Sequence, residues 1–570
     1  MHPLSQPLSP HAPPQPLSPQ LPPHDGASAY TVSAPKVTAD TFLGIRGVFT
    51  KNTTKKPIIR MTIAVARIES DRSANREYST AVIAIQYPSV HTYIQCDHLW
   101  TNQAHHETLI LFGKRYMHTF STIQKSFQMY ARVFSIHEIG ESTVLQWSFG
   151  ASLFFFFLTF ESWIGSTLTT VETAARKTEI CWPYFQGCGK LYFLQTLPDG
   201  YSQSIWYMGL YALMIAIVYA MWKREWVEAH IYMVVLFVWK VFVMFVLSYS
   251  ISGPYDYYHI AFTVVLLFVP FKEFFLKLTF VVLYFLAGTT KFDDTWVLGT
   301  YFTTLQTGLP IFPTTLTPVF TNLVIGMQVV GAWFLLSRQM LLQRGALIFF
   351  TIFHLYSGIL VYYHYPSISL PFLLILFGPM YQYTPIPFRK KTFAGWLFII
   401  ALFVFQSPPL FIPGDRRLTL EGNRYGMFMF EANHQCIATR KTYRVPTGPI
   451  ASSTTENQNC PGQTCLTMTR VYEENKLQVT EQRYETGASW NRCDPYVEWS
   501  VLHQQCARDH AIQKIAFTFD HSINGGPFYR IVDVPNMCDL SYTPFSHNDW
   551  IKLPPSAPIM GYPIKDEYRY

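Results

Sequence analysis

Charged residues are scarce in this 570-residue chain. Only 14% of its residues are Asp, Glu, Lys or Arg, against roughly 25% in an average soluble domain. Hydrophobic residues make up 49% of the chain, which contains 46 Phe, 35 Tyr and 14 Trp. This composition argues against a water-soluble enzyme and predicts a membrane protein that crosses the bilayer several times.

Several common catalytic motifs are also missing from the sequence. No Gly-rich phosphate loop, HExxH or GxSxG sequence occurs, so nucleotide-binding, zinc-protease and serine-hydrolase functions lack support. The net charge of +7 is small for this length, and the basic residues mostly flank apolar segments. Membrane orientation explains them better than nucleic-acid binding, and we expect no nucleic-acid partner.

The first 135 residues differ in composition from the rest. Prolines occur throughout residues 1–24, with PLSP at 7–10 and 16–19. Such a segment favours extended, solvated backbone over a secretory signal or a packed core. We predict that residues 1–40 are disordered, as a linker or as a ligand for a proline-reading domain. Residues 41–135 form an N-terminal region of unknown fold, and their cluster CDHLWTNQAHHE matches no metal-site spacing, so we predict no metal.

Long apolar segments fill residues 136–410, which we predict to be a transmembrane domain. They predict about nine spans, at 146–165, 204–222, 230–250, 258–271, 276–290, 316–337, 345–363, 366–386 and 393–410. Segments 258–271 and 276–290 are short for a span and are divided near Pro270, as two tilted helices or a hairpin. Nine spans with a cytoplasmic N-terminus place the flanking basic residues in the cytoplasm.

Residues 411–570 predict a separate, β-rich domain outside the cytoplasm. The segments KLQVTEQRYE, IAFTFDHSI and FYRIVDV alternate as strands do, and DPYVEWSVLHQQC predicts a helix with an aspartate-proline start. Eight of the nine cysteines fall in this domain or in the predicted outer loop 166–203, which favours disulfides in an oxidising compartment. Zinc binding at Cys460 and Cys465 is the alternative, but no second pair has matching spacing.

Ionisable side chains within or beside the apolar segments are the candidate functional groups. Lys291, in YFLAGTTKFDDTW, is the most suggestive, because a lysine in a poorly hydrated pocket has a lowered pKa and can act as a base. The alternative is a lysine that reaches to the membrane surface beside Asp293 or Asp294. His354 fits a structural bond to a neighbouring helix, with a pore or redox role open. The remaining groups are Lys240, His259 and His364.

Four segments resemble one known family in the same order. They are VVLYFLAGTTKFDDTWVLGTYF, LIFFTIFHLYSGILVYY, GNRYGMFMFEANHQC and IAFTFDHSINGGPFYRIVDVPNMCDLSYTPFSHNDWI. Across about residues 140–555 the chain resembles the vitamin K-dependent γ-glutamyl carboxylases and the wider horizontally transferred transmembrane (HTTM) domain proteins.

The resemblance implies a chemistry for Lys291. In that family the matching lysine deprotonates reduced vitamin K, O2 adds, and the strong base that results removes a γ-proton from a substrate glutamate. The carbanion captures CO2, and the vitamin leaves as its epoxide. The resemblance therefore implies a quinol pocket in the membrane, with membrane lipid and a glutamate-containing protein as partners. It also implies the endoplasmic reticulum in a eukaryote or the inner membrane in a bacterium.

The resemblance also assigns residues outside the membrane helices. It implies a disulfide between Cys181 and Cys506, and it places Arg492 near the substrate carboxylate, where the alternative is an ordinary surface arginine. The substrate-binding candidates are Arg492, Tyr425, His434 and His354.

Departures from the family fall mainly on the glutamate side of the reaction. Tyr257 most closely matches a family histidine, and Tyr425 stands in place of a tryptophan. Phe430 and Ala432 replace a histidine and an arginine, while His434 persists. Two alternatives therefore stay open. One is a family member that does not carboxylate, as a quinone or lipid oxidoreductase or without catalysis. The other is a transporter whose histidines line a pore.

Overall fold

The computed structural model describes thirteen stretches of the chain, and the statements below concern these residues. They are 81–86, 91–96, 125–175, 181–187, 202–242, 244, 254–303, 308–361, 365–387, 392–428, 430–456, 464–486 and 493–553. The predicted disorder of residues 1–40, the cluster around His105 and the possible zinc ligand Cys460 lie outside them.

The chain divides into two compact units, residues 1–111 and 112–570. In the first unit the described residues form a two-stranded antiparallel hairpin. Its strands are β1 (Ala81–Gln86) and β2 (His91–Cys96), with Ala81 opposite Cys96.

Helices make up most of the described chain between residues 136 and 411. The first six are α1 (Ile136–Glu141), α2 (Thr143–Ala175), α3 (Ser202–Trp222), α4 (Trp226–Phe242), α5 (Pro254–Phe268) and α6 (Lys272–Thr289). They are followed by α7 (Asp294–Val297), α8 (Thr300–Thr303), α9 (Thr317–Gly326), α10 (Ala332–Phe334), α11 (Met340–Val361), α12 (Pro366–Phe377), α13 (Phe393–Gln406) and α14 (Pro408–Phe411).

The prediction of about nine membrane spans is wrong. Among the described residues, two helices are long and apolar enough to cross a bilayer, Thr314–Phe334 and Met340–Ile359. Five further apolar helices run for only 10–17 described residues: Thr143–Thr159, Met208–Trp222, Asp256–Phe268, Pro366–Phe377 and Phe393–Gln406. At about 1.5 Å per residue, 10–17 residues of helix cover less than a hydrocarbon core roughly 30 Å thick. An apolar run in the sequence therefore did not by itself identify a membrane-crossing helix.

The predicted division near Pro270 is confirmed. Helix α5 ends at Phe268, and α6 begins at Lys272 after Phe271, whose backbone is left-handed at φ 57°. Proline lacks the amide hydrogen that a continuous helix would need at this point, so one long apolar segment becomes two helices.

Helix α6 is the central element of the helical region. Nearly every side chain from Phe274 to Gly288 is buried, as expected for a helix that is apolar on all sides. Phe280 stacks on Phe262 of α5, with ring centroids 5.8 Å apart. Near the end of α6, Gly288 lies against Gln328 and Val329, where an added Cβ would come within 2.9 Å of Gln328 and 2.8 Å of Val329. This close approach fixes the end of α6 against the Thr314–Phe334 helix.

The predicted β-rich region is confirmed as a six-stranded antiparallel sheet. Its strands are β3 (His434–Arg444), β4 (Ser453–Glu456), β5 (Thr464–Glu474), β6 (Leu477–Thr486), β7 (Ile512–Ile523) and β8 (Tyr529–Val534). The strand order is β4-β5-β6-β3-β7-β8. The short helix α15 (Arg416–Thr419) precedes the sheet, and α16 (Pro495–Arg508) covers it, with Asp494 as the predicted helix cap.

The predicted pairing of Cys181 with Cys506 is wrong. Cys506, near the end of α16, bonds to Cys538 in the short helix Met537–Asp539, which packs on the same sheet face. Cys436 bonds to Cys493, and Cys181 is itself disulfide-bonded. The segment around Cys181 does lie beside α16, because the Tyr496 hydroxyl donates to the Cys181 carbonyl at 2.6 Å. Cys181 therefore lies close to α16, but Cys506 in this helix is bonded to a different cysteine.

Candidate functional site

Lys291 lies just beyond the end of α6 and is buried. Its side chain is 2% exposed. The Nζ atom donates to the Ala287 carbonyl at 2.6 Å and lies 5.3 Å from the centre of the Trp296 ring. The lysine therefore folds back over the last turn of α6 beneath an indole, rather than reaching to the surface.

The loop after Lys291 holds that indole in place. The carboxylate of Asp293 caps α7 by accepting from the backbone amides of Thr295 at 2.8 Å and Trp296 at 3.2 Å. At its other end, Trp296 Nε1 donates to the Phe430 carbonyl at 2.6 Å. The cover over Lys291 is thus fixed both by its own helix and by the segment that leads into the sheet.

Burial changes the acid–base behaviour of Lys291. Desolvation of the ammonium lowers the pKa of Lys291 from its ordinary value of 10.5 to about 7, although Glu431 and Asp293 act to raise it. A group whose pKa equals the pH is half deprotonated. At neutral pH about half of the molecules would carry the free amine that a base requires.

Two arginines from α15 reach the same loop. Arg417 is held by carboxylates, with Nη1 3.1 Å from Asp293 Oδ1 and Nη2 2.8 Å from Asp415 Oδ2. Arg416 Nη2 donates to the Thr290 carbonyl in a long contact of 3.5 Å, and its guanidinium lies 5.1 Å from the centre of the Phe428 ring. Sequence reasoning did not find this pair, although adjacent arginines just after the last apolar segment were a visible signal.

An apolar cluster adjoins Lys291 through Trp296. The other buried members are Tyr301, Phe302, Leu309 and Ile325. Trp296 stacks on Tyr301 with centroids 5.2 Å apart and meets Phe302 edge-on. Such a group of rings provides the apolar surface on which an aromatic ligand packs.

His434 lies at the start of β3 in a buried histidine pair. His434 Nδ1 and His521 Nε2 are 3.0 Å apart, and His521 Nδ1 donates to the Leu418 carbonyl at 2.7 Å. Burial lowers the pKa of His521 to about 4, so it is neutral at pH 7. His521 Nε2 must then accept the hydrogen on His434 Nδ1. Sequence reasoning missed His521, although it shares the inward face of its strand with Phe517 and Phe519.

The segment 430–434 joins these features. Its first carbonyl accepts from Trp296, and Asn433 Nδ2 donates to the Tyr301 carbonyl at 2.7 Å. Glu431 is 1% exposed and acts electrostatically on Lys291. Lys291 and the segment 430–434, which leads into β3 at His434, therefore lie at the same boundary between the helices and the sheet.

His354 lies elsewhere, in a buried polar network. Its Nε2 is hydrogen-bonded by the Tyr284 hydroxyl of α6, and its Nδ1 lies 3.1 Å from Ser369 Oγ of α12. Ser369 Oγ donates to the Tyr365 carbonyl, so it accepts from His354 Nδ1. Tyr284 precedes Lys291 by about 10 Å of helix. His354 thus links three helices, as its structural alternative predicts, and does not join the Lys291 site.

Tyr425 contacts the segment around Phe545. Its hydroxyl donates to the Pro544 carbonyl at 3.1 Å, and its ring packs 4.8 Å from Phe545 and 6.1 Å from Tyr184. Arg492 and His364 fall outside the described residues, so their roles stay predictions.

Lys240 and His259 come together in a second buried cluster. Lys240 Nζ contacts Asp256 Oδ1 at 3.0 Å, Thr159 Oγ1 at 3.0 Å and His259 Nδ1 at 2.9 Å. His259 Nε2 lies 3.1 Å from the Ser152 carbonyl and donates to it, which leaves Nδ1 as an acceptor. The three ammonium hydrogens of Lys240 therefore have three acceptors, an arrangement that suits a structural ion pair rather than a base.

Comparisons with protein-family models, curated proteins and solved structures give no match to this chain. The resemblance to the carboxylase family therefore depends on the quoted segments of the sequence.

Proposed function

We propose that this protein is a membrane enzyme of the vitamin K-dependent γ-glutamyl carboxylase type. In this proposal Lys291 deprotonates a reduced quinone and so drives its epoxidation, which is coupled to carboxylation of a glutamate. The observation that carries the proposal is the buried Lys291 amine beneath Trp296, with its pKa lowered to about 7 by desolvation.

The residues around Lys291 have separable tasks in this chemistry. The neutral amine accepts a proton, and the Ala287 carbonyl fixes its direction. Trp296 and its neighbours exclude water, which keeps the amine neutral and would protect a carbanion. Reduced vitamin K or a related quinol, when bound, supplies the electrons that reduce O2. CO2 is the second co-substrate.

We further propose that the chain is an integral membrane protein held by the helices Thr314–Phe334 and Met340–Ile359. Apolar side chains exposed on the second of these helices and on others support a lipid environment: Ile215, Trp222, Ile348, Ile352, Phe393 and Ile400. The disulfides of the sheet domain support its position outside the cytoplasm. In a eukaryote this would be the endoplasmic reticulum, and in a bacterium the inner membrane.

One observation favours a second candidate, a quinone oxidoreductase that does not carboxylate. Phe430 contributes its backbone carbonyl to the site, through the bond from Trp296, and Ala432 has no polar side chain. In the resembling family a histidine and an arginine stand at these positions. The proton-accepting side of the site could therefore operate without the groups that handle glutamate.

A radiochemical assay separates these functions. Purified full-length protein receives reduced vitamin K, O2, labelled CO2 and a glutamate peptide, and both epoxide and fixed label are measured. We expect both products, and a loss of about 100-fold or more in Lys291→Ala, since a positioned base contributes 10²–10⁴-fold. Lys441→Ala, which removes a half-exposed lysine from β3, is the matched control.

The outcomes lead to different conclusions. Epoxide without fixed label would identify the oxidoreductase. If the wild-type protein formed no epoxide, or if Lys291→Ala formed as much epoxide as the wild-type protein, both enzyme functions would be excluded.

A further inference from the structure

The two adjacent arginines of α15 differ in how far their charges are already neutralised. Arg417 contacts Asp415 through two nitrogens and also reaches Asp293. Within the described chain, Arg416 has a single hydrogen bond from its guanidinium, the 3.5 Å contact to the Thr290 carbonyl, and makes no ion pair. Since a guanidinium carries five donors, most of the hydrogen-bonding capacity of Arg416 is available to a ligand.

The position of Arg416 puts that capacity next to Lys291. The carbonyl it reaches belongs to the residue that immediately precedes Lys291. Its guanidinium rests on the Phe428 ring, and its side chain is only partly exposed. The backbone beneath it is fixed as well, because Asn423 Nδ2 donates to the Arg416 carbonyl at 3.1 Å. An anchored, partly desolvated guanidinium is suited to bind a carboxylate through two parallel hydrogen bonds.

Among the described residues, carboxylates lie near Arg416 without contacting its guanidinium. Glu431 and Asp293 attract both Lys291 and Arg416, and Asp415 also attracts Arg416, whereas Asp293 and Asp415 contact Arg417 directly. A bound carboxylate would make the direct contact with the Arg416 guanidinium that none of these carboxylates makes, and it would hold a glutamyl γ-carbon near the site of proton transfer.

We propose that Arg416 is a carboxylate-binding residue whose ligand is the γ-carboxylate of a glutamyl side chain in a peptide. The inference depends on the proposed function for the identity of the peptide, but its binding step is measurable without turnover. Arg416 would thereby supply a cation at the side of the site where Phe430 and Ala432 leave none.

Binding of a short peptide with one central glutamate tests the proposal, with the same peptide containing glutamine as the uncharged probe. Wild-type protein is expected to bind the glutamate peptide about 10-fold or more tightly than the glutamine peptide. The reason is that a charge-assisted hydrogen bond is stronger than a neutral one. Arg416→Gln should remove this preference, and Arg416→Lys should restore part of it. Arg417→Gln, which removes the same charge one residue away, should keep the preference while lowering thermal stability.

The outcomes separate this proposal from the proposed function. If wild-type protein shows no preference for glutamate, or if Arg416→Gln keeps the wild-type preference, the assignment of Arg416 is wrong, even where Lys291-dependent epoxidation is found. If the preference depends on Arg416 but no quinol chemistry occurs, the carboxylate site stands and the enzymatic proposal fails. Equal loss of preference in Arg416→Gln and Arg417→Gln would indicate a general charge effect and would also overturn the assignment.

Discussion

The lowered pKa of Lys291 predicts an unusual pH dependence for any reaction in which it is the base. A fall in pKa from 10.5 to about 7 raises the acid dissociation constant about 3,000-fold. At pH 7 about half of the amine is then neutral, against about 0.03% for an ordinary lysine. The Lys291-dependent rate should therefore increase with pH and level off above about pH 8.

Two substitutions should move this profile in opposite directions, because the two causes of the pKa have opposite signs. Trp296→Ala admits water and weakens desolvation, the larger cause, so the pKa should rise, to about 9 if roughly half of the effect is lost. The rate at pH 7 would fall to about one-fiftieth and recover near pH 10. Glu431→Gln removes an attraction that raises the pKa, so the profile should shift about one pH unit lower.

The assay is the initial rate of quinol epoxidation between pH 5.5 and 10 at saturating quinol. Labelling of Lys291 by acetic anhydride, followed by mass spectrometry, reports the neutral amine without turnover. Glu473→Gln, at an exposed position on β5, controls for loss of one carboxylate and should leave both profiles unchanged. A wild-type profile that rises only near pH 10, or shifts of the same sign in Trp296→Ala and Glu431→Gln, would refute the reasoning.

Three further predictions concern stability, each checked by denaturant unfolding of the purified protein. Lys291→Met should stabilise the fold by several kcal/mol at pH 7. The pKa of Lys291 in the folded state, about 7, lies below its value in the unfolded chain, so the buried ammonium destabilises the fold at low pH. This destabilisation decreases as the pH rises and vanishes at about pH 10.5. Cys506→Ser with Cys538→Ser should cost about 4 kcal/mol, because the disulfide closes a loop with a sequence separation of 32; an unchanged midpoint would contradict this. Lys240→Met should cost about 3–5 kcal/mol by leaving Asp256 buried without its cation, and adding Asp256→Asn should recover part of the loss.

Local signals in the sequence predicted local structure well. Alternation identified β6, β7 and β8, and the aspartate-proline pair before α16 marked the Asp494 cap. Pro270 marked the break between α5 and α6. Each of these features depends on a few consecutive residues, which is the range over which turn chemistry and side-chain alternation act.

Features that depend on distant residues were predicted poorly. The number of spans was wrong because apolar content along the sequence does not distinguish a helix that crosses a membrane from a shorter apolar helix. The bond of Cys506 to Cys538 depends on how a short helix packs beside α16, which no spacing reveals. Arg416 and His521 went unnoticed because each acquires its neighbours only when the region before β3 meets helices or strands far away in the sequence.

The bond between Trp296 and Phe430 suggests how the site tolerates an apolar side chain where the resembling family has histidine. The contact uses the Phe430 backbone carbonyl, so it does not require a particular side chain. It does require the backbone conformation, and Phe430 adopts a left-handed φ of 55°, which costs a bulky residue about 1–2 kcal/mol. Packing of Phe430 against the Trp296 cluster and the indole hydrogen bond offset that cost. The strained residue therefore couples the sheet to the cover of Lys291, and any movement of the 430–434 segment would alter the hydration of Lys291.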